Sequence, residues 1–88
     1  MTETERLAHI ADVPPDLAAL VVLQANRADV SLREFRRPGR PKNLTPHKQR
    51  LAVIAREHGF SWWQIGRALN RDHSTVIHAY RKGIAAHG

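Results

Sequence analysis

Residues 61–82 read SWWQIGRALNRDHSTVIHAYRK, and this stretch decides the fold because it spells two helices joined by a turn too tight for a flexible loop. Ser61 with Gln64 three positions on has the form of a capping box, in which hydroxyl and amide each satisfy a backbone donor at a helix start. Trp62, Ile65 and Leu69 then share one face at helical spacing, and Asn70, tolerant of the left-handed conformation, stops the pattern after about two turns. Asp72 stands where a second helix takes its N-cap, with Val76, Ile77, Tyr80 and Ile84 along the buried side. Projected at ~100° per residue, Ser74, His78 and Arg81 share the opposite face. A short helix, a sharp turn and a second helix with a polar outer stripe is the sequence form of a helix-turn-helix. The expected fold is all-α, a small helix-turn-helix domain of about four to five helices with a basic loop.

Outward from this stretch, Thr45 as N-cap, Pro46 at the first helical position and Gly59 at the end frame a helix of about 13 residues. Leu51, Ile54, Ala55 and His58 form its inner face. Gln49 and Arg56 lie on an outer face about two turns apart, ~10.5 Å, a spacing that bridges neighbouring phosphates or serves only solvation. Residues 37–43, RPGRPKN, fit neither helix nor central strand, because two prolines remove donors and fix φ around a free glycine. Such an extended basic arm suits a groove of DNA, as homeodomain arms place arginine in the minor groove, or an ordinary linker. Residues 31–36 supply one helical turn with Leu32 and Phe35 inward and Arg33, Arg36 and Arg37 outward. Pro14, Pro15 and Asp16 start a helix reaching about Arg27, which Leu17, Leu20, Val21 and Leu23 make apolar on most sides and therefore deep in the core. Residues 1–13 are a tail or a short helix with a Thr2/Glu5 capping box and Leu7, Ile10 and Ala11 on one face, and residues 14–88 form the domain proper.

Eighty-eight residues allow one small core and no second fold. Cysteine is absent, which excludes a disulfide frame and a thiolate zinc finger and suits a reducing, cytoplasmic interior. The longest apolar run, residues 17–23, is far short of the ~20 a membrane span needs, and no signal peptide opens the chain. The net charge of +6 is uneven: residues 1–30 carry two Lys/Arg against five Asp/Glu, −3, and residues 31–88 carry twelve against three, +9. This concentrates positive field where the helix-turn-helix lies and points to a polyanion, against the plainer reading of a basic face that serves solubility.

In a helix-turn-helix the first residues of the second helix face base edges, here Asp72, His73, Ser74 and Thr75. Asp72 can accept from a cytosine amino group, or do no more than cap its helix. His73 can donate or accept, and Ser74 can do either. Adjacent Trp62 and Trp63 cannot both face inward; Trp62 is expected in the core, with Trp63 stacked on Arg67 or marking a protein contact. The six histidines lack metal-ligand spacing, and no nucleophile–base pair, glycine-rich phosphate loop or paired carboxylates are found, so neither metal, cofactor nor catalysis is expected.

Residues 71–79, RDHSTVIHA, preceded by Ile65 and Gly66, resemble the RDHTTVLHA signature of the DNA-binding domain at the C-terminus of DnaA-type bacterial replication initiators, and a weaker likeness reaches back to about Leu17, roughly four-fifths of the chain. The resemblance implies a recognition helix over 72–84 in the major groove, with Asp72, His73 and Ser74 reading bases and Thr75 and His78 on phosphates. It implies a basic loop over 36–42 in the minor groove through Arg40, a place Arg37 or Lys42 takes after a small shift in alignment. Gln49 and Arg56 fall on the DNA backbone, and Arg71 and Arg81 complete the contact set. Two departures stand out: Asn70 alone replaces a Gly-Gly pair, and Ser74 replaces a threonine whose methyl can pack on thymine. The final helix is also shorter than the family's. Those initiators carry a P-loop motor that these residues lack, so the expected role is a free-standing, phage-derived transcriptional regulator. It would act on double-stranded DNA as a monomer, nucleoid-associated, with transcription or replication proteins as partners. The alternatives are a DNA-binding fragment of an initiator and an interaction module that kept the fold and lost DNA.

Overall fold

The structure, a computed structural model, describes residues 1–38 and 43–87. The described residues form six helices and no strand: α1 (Glu3–Ala11), α2 (Pro15–Arg27), α3 (Leu32–Phe35), α4 (Thr45–Glu57), α5 (Trp62–Leu69) and α6 (His73–His87). Their starts follow local chemistry. Thr2 with Glu5, and Ser61 with Gln64, make complete capping boxes on α1 and α5, and the Ser31 hydroxyl caps α3. Four helix ends turn back through the same device, a backbone N–H reaching the carbonyl five residues earlier: Val13 to Ala8, Val30 to Ala25, Phe60 to Ala55 and Arg71 to Gly66. The residue in the left-handed conformation is Asp12, Asp29, Gly59 or Asn70.

Leu7, Leu17, Val21, Phe35, Leu44, Leu51, Ile65 and Val76 form one core to which each helix contributes. α4 packs along α6, and α1 and α5 both pack on α2. The α4–α6 approach is so close that a Cβ at Gly83 would stand 2.8 Å from the Gln49 carbonyl oxygen. None of these helices alone is long and apolar enough to cross a membrane.

Several expected positions shift. α4 takes Leu44 as its N-cap, with no side-chain capping bond, and Pro46 falls at the second helical position, because Leu44 is needed in the core. The buried stripe of α4 is Leu51, Ala52 and Ala55; His58 is exposed, its Nδ1 2.8 Å from the Ile54 carbonyl oxygen. Ile10 and Ile84 lie at 65% and 41% exposure, beyond the edges of their helices' buried stripes. In α2 the stripe is Leu17, Ala18, Val21, Gln24 and Ala25, which leaves Leu23 45% exposed on the far side.

That rotation buries Gln24 to 1% exposure with its Oε1 lacking a hydrogen-bond partner among the described residues. An orphaned buried acceptor costs about 1–3 kcal/mol. Gln24→Met keeps the length and removes the amide, so it should stabilise by about 1 kcal/mol and raise the melting temperature by about 4–8 °C. Thermal unfolding followed by circular dichroism checks this, and an unchanged or lower transition rejects it.

Candidate nucleic-acid interface

The turn between α5 and α6 is built from three residues, 70–72. Asn70 takes φ 57° and ψ 45°, and the Arg71 N–H bonds to the Gly66 carbonyl at 2.8 Å. Gly66 makes this possible: a Cβ there would lie 2.6 Å from the Arg71 carbonyl oxygen. Asp72 then caps α6, its Oδ1 accepting from the Thr75 N–H at 2.9 Å. Hydrogen bonds from the Thr75 side chain and backbone hold the Asp72 carboxyl below its usual range, so the cap is charged at neutral pH.

The tip of α6 faces solvent. Asp72, Ser74 and Thr75 are exposed, as are His78 and Arg81 further along. His73 is half-buried because its imidazole stacks on the Trp63 indole, ring centroids 3.9 Å apart and planes 33° from parallel. Trp62 takes the inward place, edge-on to Tyr80 at 5.1 Å.

Beside the tip runs a groove of about 380 Å³ between α4 and α6. Thr45, Lys48 and Gln49 line one wall, and Thr75, His78 and Lys82 the other, with Arg71 also lining it. Burial, and then the charge of Arg71, hold the Lys48 ammonium below its ordinary range. Lys48 is thus a partly desolvated cation with Arg71 beside it, and an anion placed in the groove would favour its charged form. Lys48 and Lys82 were not singled out by the sequence, although Thr75, His78 and Lys82 do recur at i, i+3 and i+7. Their wall is set by the α4–α6 crossing, which no local pattern specifies.

The described flanks of the basic loop meet this surface. Arg36, expected to face outward as the first residue of that loop, is instead half-buried and donates from Nε to the Ala68 carbonyl at 2.8 Å and from Nη2 to the Arg67 carbonyl at 3.1 Å. It thereby holds the loop's start against the negative C-terminal end of α5. Burial lowers the Arg36 pKa, yet an arginine remains charged. Lys48 Nζ donates to the Arg37 carbonyl at 3.4 Å, and Arg37, Pro38 and Asn70 line one cavity. Arg40 and Lys42 lie outside the described residues. Gln49 sits in the groove, whereas Arg56, further along α4, donates to the Phe60 carbonyl at 3.0 Å and lays its guanidinium 4.2 Å over the Trp62 ring. These two residues therefore do not share one pocket. Among the described residues no group of three or more His, Asp or Glu side chains stands close enough to hold a metal ion.

A family model described as the bacterial dnaA protein helix-turn-helix matches residues 21–82. No solved structure matches the chain.

Proposed function

The chain belongs to the bacterial dnaA helix-turn-helix family, and from that premise we propose that it reads duplex DNA by sequence, with residues 72–84 in the major groove and the loop over 36–42 in the adjacent minor groove. The observation that carries this is the pairing of an open polar tip with a cationic groove beside it: Asp72, His73 and Ser74 for base edges, and Lys48, Arg71, Thr75, His78 and Lys82 for phosphates. Arg36, clamped on α5, starts the loop next to the turn, which supports minor-groove entry by Arg40, or by Arg37 or Lys42 after a small shift in alignment. Gln49, Arg56 and Arg81 serve flanking phosphates. Arg56 is pre-oriented for this by the Trp62 face and retains further N–H donors. The helix-turn-helix of this family is a non-catalytic domain, so occupying a site is the activity these residues supply. We assign that occupancy to regulation of transcription by a monomer on the nucleoid in the cytoplasm, with residues 14–88 as the DNA-binding unit and α1 bracing it through Leu7.

Selection of bound duplexes from a random pool defines the cognate site, and fluorescence anisotropy then compares it with random duplex. His73→Ala should reduce preference for the cognate site by about 5- to 150-fold, the worth of one base contact, with little change on random DNA. Equal losses on both duplexes would remove the base-reading assignment.

A further inference from the structure

We infer that Trp63 is a specificity-positioning residue: by stacking on His73 it fixes the plane of the imidazole and so sets which base edge the ring addresses. The inference rests on His73 being a base reader. Trp63 is 63% exposed, so its indole does not fill the core, and it meets the ring of His73, ten residues away across the turn. The contact uses ring faces, at a 3.9 Å centroid separation. Base readout uses ring edges, where imidazole carries its donor and acceptor nitrogens in the plane. Stacking on one face therefore leaves both nitrogens able to bond while removing the rotation that would aim them elsewhere, and this ordering is met on folding rather than on binding. Residues 70–72 and the Gly66–Arg71 approach bring the two rings together, which ties the aim of His73 to the geometry of the turn.

The test is a double-mutant cycle on the full chain, read as affinity for the selected cognate duplex against random duplex. Trp63→Ala should lower cognate preference by about three- to tenfold, in keeping with a stacked ring pair, and should move random-duplex affinity by less than about twofold. Trp63→Phe, which keeps a stacking face, should restore most of the preference. On a His73→Ala background, Trp63→Ala should add nothing further. In the free protein, the NMR signals of the His73 ring protons should lose their indole ring-current shift in Trp63→Ala and keep a smaller one in Trp63→Phe. If His73→Ala abolishes preference while Trp63→Ala preserves it, or if the two losses simply add, the positioning role is wrong and the base-reading role stands. If His73→Ala leaves preference intact, both fall together.

Discussion

Gly66→Ala is expected to lower the melting temperature by about 5–15 °C and to abolish cognate preference even in the molecules that remain folded. Inside a helix the substitution would ordinarily help by about 1 kcal/mol through propensity. Here the new methyl meets the Arg71 carbonyl oxygen at 2.6 Å, and the Asp72 carbonyl carbon lies 3.5 Å away. Both are backbone atoms, and the 2.8 Å bond from the Arg71 N–H to the Gly66 carbonyl fixes them in place, so no side chain can swing aside. Overpacking of this kind costs about 1–3 kcal/mol, and against immovable backbone the upper part of that range, about 2–3 kcal/mol, applies, leaving a net loss of about 1–2 kcal/mol. Relief comes only by lifting the turn, which carries the first residues of α6 with it. Gly59→Ala is the matched control: it has the left-handed strain of φ 89° but, among the described residues, nothing within 4 Å of its Cβ, so it should reduce stability without altering DNA preference. A Gly66→Ala protein with unchanged melting and preference would show that the turn is not the rigid link between α5 and the reading tip.

The same turn shows what could be read from sequence and what could not. Ser61 with Gln64, Asn70 and Asp72 act on neighbours within three to five positions, and each stands in the structure as its local chemistry dictates. The order of the helices followed from such signals. The faces did not follow so well, because a buried stripe is chosen by partners: Gln24 rather than Leu23 turns inward in α2, and His58 turns out of α4. The candidate site divides in the same way. The place of Asp72, His73 and Ser74 at the start of α6 was legible because position at a helix start is a local property. The partners of Trp63, Arg36 and Lys48 were not, since His73 lies ten residues from Trp63, Ala68 thirty-two from Arg36, and the Lys48 wall faces α6 across the fold. Expecting Trp63 on Arg67 applied the one-turn rule within α5, whereas the turn brings it a ring from the next helix.

Affinity for random duplex should fall by about 10²- to 10³-fold between 50 and 200 mM salt, a log–log slope of about −4 to −5, if Lys48, Arg56, Arg71, Arg81 and Lys82 each displace one condensed counterion. A basic face that served solubility alone, or an interaction module without DNA, would show almost no slope. Lys48 and Lys82 allow the assignment to be made by residue. Lys48→Met and Lys82→Met should each make the slope shallower by about 0.9 and weaken cognate and random duplex alike, since phosphates carry no sequence. Their effects on the free protein should differ. Lys82 is exposed and its removal should be neutral, whereas the Lys48 ammonium is held below its ordinary range by burial and then by Arg71. Because the folded pKa of Lys48 is lowered, the unfolded chain binds the proton more tightly; the charged form therefore weighs against folding at neutral pH, and that penalty fades as pH rises through the alkaline range where lysine deprotonates. Lys48→Met keeps the stem near the Phe35 ring and removes the charge, so it should leave the melting temperature at pH 7 unchanged or higher while DNA affinity falls. A groove cation that disfavours the free fold and favours the complex belongs to a ligand-binding surface. If Lys48→Met lowered stability and left the salt slope untouched, Lys48 would be a structural residue, and the phosphate wall would have to be sought elsewhere on α4 and α6.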